Sequence, residues 1–150
     1  MLDRFKRLLD ENPEAAERLL RVMERPTEVA QVTMLDDIAE IARPLALGDY
    51  ERLVVIAMNR QNKVVDAAVL SQGNDAYTIV CPRQILRWVL TRDQPCFSFA
   101  LAHNHPSGVC TPSAQDREVT TKMLEAANAV GLKMLDHVVV TATDAQSAMH

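Results

Sequence analysis

Three short apolar runs constrain the fold of this chain more than any other feature. They are RLVVIAM at 52–58, CFSFALA at 96–102 and LKMLDHVVVT at 132–141. Compact runs of this kind, rich in branched or aromatic side chains, are typical of buried β-strands. A further run, VVDAAVL at 64–70, follows the first after the polar stretch NRQNK, and this tight connection predicts a hairpin. We therefore expect the core to form around a β-sheet.

Two segments outside these runs carry the signals of a helix and of a loose tail. Residues 33–42 begin with Thr33 as a capping residue, carry acids in the first turn and end before Pro44. This pattern predicts a helix that Pro44 stops. Residues 142–150, ATDAQSAMH, are predicted to form a polar tail with little to hold it down.

Two further helices are predicted between the later strands. Residues 82–92 begin with a proline, which suits a first helical turn, and Pro95 ends the segment. Residues 112–130 are amphipathic, and Gly131 stands where a glycine commonly follows a helix. The residues predicted to face inward are Ile85, Leu86, Val89 and Leu90 in the first of these helices and Val119, Met123, Ala126, Ala127 and Val130 in the second.

The order of the elements predicts one α/β sandwich. Helix, hairpin, helix, strand, helix and strand follow one another, which places helices around a single sheet. The 150 residues, 48% hydrophobic and 24% charged, suit one globular domain with a real core. Residues 1–25 are predicted to be a helical extension, whose apolar stripes either pack on the domain or mediate self-association. The domain itself is predicted to span residues 26–150.

Charge and cysteine content argue against several classes of protein. The net charge of −4 gives no broad attraction to a phosphate backbone, so we do not expect direct nucleic-acid binding. The three cysteines form no Cys-x-x-Cys pair, which favours a reducing cytoplasm over a disulfide framework or a thiolate zinc finger. Residues 1–20 contain no continuous apolar run, so neither a signal peptide nor a membrane span is predicted. We expect a soluble, cytoplasmic protein.

The stretch AHNHPSGVCTPSAQD, residues 102–116, follows the second apolar run directly. On a strand end, residues i and i+2 point to the same side, so His103 and His105 can aim both imidazoles at one point. The Pro-Ser-Gly turn lets the chain reverse, and a helix beginning near Pro112 would hold Asp116 in its first turn, facing the histidines. Two histidines and one carboxylate leave the fourth tetrahedral position of Zn²⁺ open for water, as in catalytic zinc sites.

The same residues also fit an ordinary capped turn. Ser113 and Asp116 are spaced as in a capping box, which occurs in many proteins without a metal, and Thr111 could equally be the cap. An isolated His-x-His pair is a weak signal by itself. Spacing alone leaves both interpretations open.

The whole string decides between them through a family resemblance. HNHPSGVCTPSAQD fits His-x-His-Pro-x-Gly followed by Pro-Ser-x-x-Asp, the signature of the JAMM metalloproteases, also called the JAB/MPN domain. Within that superfamily residues 26–141 resemble the RadC family, which shares HNHPSG, PSxxD, PRQIL and LDHVVV. The resemblance implies a cytidine-deaminase-like three-layer sandwich with a mixed central sheet, and Zn²⁺ held by His103, His105 and Asp116. The zinc deaminases themselves need His-x-Glu and Pro-Cys-x-x-Cys, which this sequence lacks.

The resemblance also requires a glutamate from an earlier strand as general base. In RadC-like sequences it opens the first strand in a context resembling E-x-Φ-V-V-Φ, where Φ is apolar, and YERLVVIAMN places Glu51 there. Asp66 is the alternative acid, although its context matches the family less well. Ala67 and Ala68 stand where several relatives carry acids, a departure that we expect to lie outside the metal site.

Several other residues have two interpretations each. The resemblance makes Ser113 a donor to the oxyanion of the reaction, beside its role as an N-cap. Cys110 is expected to be a loop residue and not a ligand, because a thiolate would take the open position. His137 either supports a metal ligand or is a buried histidine bonded to backbone, and the second is favoured. Trp88 is expected in the core or on a partner surface.

The function implied by the resemblance is zinc-dependent hydrolysis of a peptide or isopeptide bond. Its substrate would be a protein or peptide, such as a ubiquitin-like conjugate. The alternatives are an accessory or interaction factor associated with DNA repair, without peptidase activity, and a metal-free structural domain. Residues 1–25 do not resemble the helix-hairpin-helix segment that precedes the catalytic domain in RadC proteins, which counts against direct DNA binding.

Overall fold

The computed structural model describes residues 31–46, 48–73 and 81–150. Their helices and strands are α1 (Leu35–Ala46), β1 (Glu51–Met58), β2 (Val64–Gly73), α2 (Pro82–Leu90), β3 (Ser98–Asn104), α3 (Ala114–Ala129), β4 (Lys133–Val140) and β5 (Ala145–Ser147). The predicted extension at 1–25 lies outside the described residues. No helix within these ranges is long and apolar enough to cross a bilayer.

The strands form one mixed sheet in the order β2-β1-β3-β4-β5. Strand β1 is antiparallel to both β2 and β3, β3 is parallel to β4, and β4 is antiparallel to β5. The predicted β1–β2 hairpin is confirmed. Its connection is held by Asn59, whose Oδ1 accepts from the backbone N–H groups of Gln61 and Lys63 at 2.9 and 3.1 Å. Helix α3 supplies the crossover that a parallel pair such as β3 and β4 requires.

Helices cover both faces of this sheet, so the predicted sandwich is confirmed and has three layers. Successive side chains of a strand point to opposite faces. In β1, Val54 and Ile56 pack with α1, whereas Leu53 and Val55 pack with α2 and α3, and all four are at most 3% exposed. This two-sided burial explains why the strand reads as a continuous apolar run instead of an alternating one.

Helix α1 departs from its predicted ends. Pro44 was expected to stop it, but the helix continues to Ala46, and that prediction is wrong. Ala42 and Ala46 are both fully buried against the sheet, and this packing offsets the backbone hydrogen bond that a proline removes. At the other end the Thr33 hydroxyl does not accept from the helix; it donates to the Asp37 carboxylate at 2.8 Å.

The predicted inward faces of α2 and α3 are confirmed except at Leu90, the last residue of α2, and Val130, which directly follows α3. Leu90 is 55% exposed and Val130 is 48% exposed. Leu90 follows Val89, the last buried residue of α2, and Val130 lies beyond Ala127, the last buried residue of α3. Gly131 has a φ of 74°, the left-handed conformation expected of the residue after a helix end.

The C-terminal tail is held in place, contrary to the sequence prediction. Residues Ala145–Ser147 form β5 on the edge of β4. The Ser147 hydroxyl donates to the buried Asp136 carboxylate at 2.6 Å, and the Ala148 N–H donates to the His137 carbonyl at 2.7 Å. A strand this short carries no periodicity of its own, so its pairing depends on the edge that β4 offers.

Candidate metal centre

The end of strand β3 carries the two motif histidines. His103 pairs with Leu53 of β1 and with Val139 of β4, and it is 8% exposed. It alternates with Asn104, so its ring lies on the sheet face that α2 and α3 cover. His105 follows just after the strand, and its Nε2 lies 3.0 Å from the Nε2 of His103. The predicted convergence of the two rings is confirmed.

The first turn of α3 brings Asp116 to the same point. Ser113 is the N-cap: its Oγ accepts from the Asp116 N–H at 3.0 Å, and its own N–H donates to Asp116 Oδ2 at 2.7 Å. Thr111 is therefore not the cap. Asp116 Oδ1 lies 3.1 Å from His103 Nε2, and Oδ2 lies 3.2 Å from His105 Nε2. The capped turn and the cluster of candidate ligands are thus the same structure.

These three residues fit a tetrahedral cation. Each offers one ligand atom, and the three atoms lie within 4.8 Å of one another. A tetrahedral zinc site with bonds of about 2.0–2.2 Å has neighbouring ligand atoms roughly 3.3–3.6 Å apart. The two Nε2 atoms lie 3.0 Å apart, and the two oxygens of Asp116 lie 3.1 Å from His103 Nε2 and 3.2 Å from His105 Nε2, each a little shorter than this edge length. That the three residues bind a metal stays a prediction.

The electrostatics of the cluster also suit a cation. Burial alone would raise the pKa of the Asp116 carboxyl, but hydrogen bonds to the rings of His103 and His105 outweigh it and hold that pKa far below its usual range. The bond to Asp116 in turn raises the pKa of His105, against the opposing effect of burial. At neutral pH Asp116 is therefore a carboxylate in a half-buried site. A bound cation would balance that charge.

Glu51 lies beside this cluster at the start of β1. Since Leu53 pairs with His103 in antiparallel register, Glu51 falls on the same face at the level of His105. Its charge contributes to the raised pKa of His105. Glu51 is not in the group of ligand atoms, so the structure places it next to the candidate metal site and not within it.

A buried carboxamide sets the position of Glu51. Asn104 Oδ1 accepts from the Arg52 N–H at 2.7 Å, and its Nδ2 donates to the Tyr50 carbonyl at 2.9 Å. The residues on both sides of Glu51 are therefore tied to the residue between the two histidines. No sequence pattern indicates this role of Asn104, because its two contacts join positions 52 and 54 residues apart.

Comparison with known proteins identifies the family of this chain. The sequence model of the RadC-like JAB domain matches residues 23–150. The chain belongs to this family. A relative from Thiobacillus denitrificans is 31% identical over 148 residues, 90% of this chain and 65% of the relative. One from Rubrobacter xylanophilus is 40% identical over 92 residues, 61% of this chain and 40% of the relative. One from Streptococcus sanguinis is 38% identical over 118 residues, 76% of this chain and 51% of the relative.

These relatives share the name UPF0758 protein, which states no activity. The chain of the RadC-like domain spans 40% to 65% of their lengths. The mixed sheet with helices on both faces agrees with the JAB/MPN fold that the sequence predicted.

The remaining predicted residues of the RadC-like domain fall outside the ligand group. Asp66 forms an ion pair with Arg92 at 2.7 Å and pairs with Ala57, toward the end of β1 remote from Glu51. Cys110 is half-buried in the loop and is not part of the ligand group. Trp88 is half-buried under the Arg92 guanidinium, 4.2 Å from its ring centroid. Neither the Asp66 carboxylate nor the Cys110 thiol competes with the three candidate ligands.

His137 differs from the favoured sequence interpretation. Its ring is bonded to side chains and not to backbone: Nε2 lies 2.8 Å from His103 Nδ1, and Nδ1 lies 2.7 Å from Thr120 Oγ1. Burial lowers the pKa of His137 to about 3, so its ring is neutral. Thr120 was missed altogether. Its place four residues after Asp116 on the amphipathic helix was the only available signal.

Proposed function

We propose that this RadC-like domain is a zinc-dependent hydrolase that cleaves a peptide or isopeptide bond. The proposal rests on the convergence of two imidazole nitrogens, 3.0 Å apart, with the Asp116 carboxylate, whose two oxygens lie 3.1 Å from His103 Nε2 and 3.2 Å from His105 Nε2. His103, His105 and Asp116 would hold the ion. When bound, Zn²⁺ would supply a Lewis acid that polarises a carbonyl and lowers the pKa of water.

The other residues of the site supply the proton transfers. Glu51 lies beside the ligands with a carboxylate that can take a proton from the attacking water and pass it to the leaving amine. Ser113 donates a hydrogen bond to the developing oxyanion. Its Oγ already accepts from the Asp116 N–H, and a hydroxyl that accepts in this way keeps its own proton for another partner. Capping and catalysis are compatible in this residue.

The substrate class follows from the chemistry of the site. A peptide or isopeptide carbonyl is a poor electrophile, so it needs both a Lewis acid and a positioned base. We propose a protein or peptide substrate, with a ubiquitin-like conjugate as one example, and no direct contact with nucleic acid. The three cysteines are all free, and we place the reaction in the cytoplasm.

A panel of peptides and ubiquitin-like isopeptides tests this function. The parent and Glu51→Gln are loaded with zinc and compared, with Glu118→Gln as the control, because Glu118 is an exposed glutamate paired only with Lys122 at the surface of α3 among the described residues. We expect Glu51→Gln to keep its zinc and lose about 10²–10⁴-fold in kcat. Unchanged turnover in Glu51→Gln would remove Glu51 from its role. A zinc-loaded parent that cleaves nothing in the panel would favour an accessory factor instead.

A further inference from the structure

A chain of four polar groups runs from the backbone of α3 to the ring of His103. The Thr120 hydroxyl lies 2.7 Å from the Asp116 carbonyl oxygen and 2.7 Å from His137 Nδ1. His137 Nε2 lies 2.8 Å from His103 Nδ1. Thr120 and His137 are each 2% exposed, and His103 is 8% exposed. Water therefore has little access to replace any member of this chain.

The donor and the acceptor in each hydrogen bond of this chain follow from its first member, the Asp116 carbonyl oxygen. A carbonyl oxygen can only accept, so two oxygens 2.7 Å apart need the Thr120 hydroxyl proton between them. The single proton of Thr120 is then used, and its oxygen must accept from His137 Nδ1–H. A neutral imidazole carries one N–H, which leaves His137 Nε2 as an acceptor. His103 must therefore donate from Nδ1, and its Nε2 is left with a lone pair.

The tautomer of His105 is fixed in the same way, but by a single hydrogen bond. His105 Nδ1 lies 2.8 Å from the Val109 carbonyl oxygen, which can only accept. The Nε2 of His105 is therefore also unprotonated in the neutral ring. With both rings neutral, two Nε2 lone pairs lie 3.0 Å apart and 3.1 and 3.2 Å from the Asp116 carboxylate oxygens. These groups are all acceptors, so a cation, or in its absence a proton shared with Asp116, must lie between them. The opposite tautomer of His103 would direct an N–H into this space and block a cation there.

We propose that His137 and Thr120 are positioning residues that fix the tautomer of His103, so that its Nε2 lone pair faces the metal. The inference rests on the proposed function in that it concerns the same centre. It adds a link that joins α3, β4 and β3 through side chains. Because the chain begins at the Asp116 carbonyl and ends beside the Asp116 carboxylate, one helical segment orients both a ligand and the tautomer of its neighbour.

The matched variants are Thr120→Val and Thr120→Ser. Valine has nearly the shape of threonine but lacks the hydroxyl, whereas serine keeps it. The first measurement is the tautomer of each histidine in the metal-free protein at mildly alkaline pH, from long-range proton–nitrogen correlation spectra. We expect Nδ1–H in His103 of the parent and of Thr120→Ser, and a loss of that single tautomer in Thr120→Val.

The second measurement is zinc affinity, by competition with a chelator of known affinity. Loss of a group that orients a metal-binding histidine typically costs about 10–100-fold, and we expect Thr120→Val to fall in this range and Thr120→Ser to match the parent. Nε2–H in His103 of the parent would overturn the inference, as would a Thr120→Val protein with parental tautomers and affinity. Should Thr120→Val fail to fold, the parental spectrum and His137→Leu decide instead. The tautomer measurement needs neither zinc nor turnover. It therefore tests this inference even if the domain has no hydrolase activity.

Discussion

A single carboxylate serves two purposes in this domain. Asp116 Oδ2 accepts from the Ser113 N–H at 2.7 Å and lies 3.2 Å from His105 Nε2. The capping contact holds the first turn of α3, and that turn aims the carboxylate at the histidines. Because both features use the same spacing, the residues alone favoured neither the capped turn nor the metal site. The structure contains the arrangement that each requires.

Asn104 provides a prediction at the scale of one residue. Asn104→Ala removes the bonds to the Arg52 N–H and the Tyr50 carbonyl from a side chain that is 2% exposed. Unmade buried hydrogen bonds cost about 1–3 kcal/mol each, so we expect a loss of this order in the free energy of unfolding, measured in urea. Zinc-loaded Asn104→Ala should also lose kcat, because Glu51 is no longer held from both sides.

Asn59→Ala is the control for this substitution. Asn59 likewise forms two hydrogen bonds to backbone, accepting from two N–H groups, but it does so in the exposed hairpin connection. We expect a smaller loss of stability there and no change in kcat. Equal effects of the two substitutions on kcat would contradict the role given to Asn104.

Sequence patterns predicted some elements better than others. The run at 52–58 identified β1, because strands covered on both faces are apolar at every position. The three-residue strand β5 could not be predicted, since its pairing comes from β4 and from the Ser147–Asp136 bond. The passage of α1 through Pro44 was missed for a similar reason. The helix-breaking tendency of Pro44 is outweighed by packing of α1 that the sequence does not show.

The start of α1 gives a pH-dependent prediction at the scale of one element. Hydrogen bonds from the Thr33 and Met34 N–H groups and the Thr33 hydroxyl lower the pKa of Asp37 below 3.8. A carboxyl whose pKa is lower in the folded state stabilises the fold above its unfolded pKa, and this contribution is lost as the pH falls through the folded value. Asp37→Asn should therefore be less stable than the parent at neutral pH, with a difference that shrinks below pH 3.8.

Chemical denaturation at several pH values measures this effect. Asp36→Asn removes the same charge from the same turn and serves as the control. Its effect should be smaller at neutral pH. A difference between Asp37→Asn and the parent that persists unchanged in acid would show that the carboxylate charge is not what stabilises this turn.

At the scale of the whole molecule, the sandwich assembles the site from three elements, of which only β1 is distant from the others in sequence. Strand β3 carries His103, helix α3 carries Asp116, and strand β1 carries Glu51. The two candidate ligands that follow β3, His105 and Asp116, are close to it in sequence, and their spacing predicted their convergence with His103. The place of Glu51 came from the family resemblance, because only the antiparallel register of β1 and β3 brings it to that level. His137 and Thr120 had no local pattern that could link them to His103.

The metal content of the purified protein tests most directly whether His103, His105 and Asp116 bind a zinc ion. After zinc loading and desalting, we expect about one zinc ion per chain in the parent and in Glu118→Ala. His103→Ala and Asp116→Ala should retain almost none, because each loses one of three ligands. A parent without zinc, or an Asp116→Ala protein that keeps its zinc, would show that these three residues do not form a zinc site.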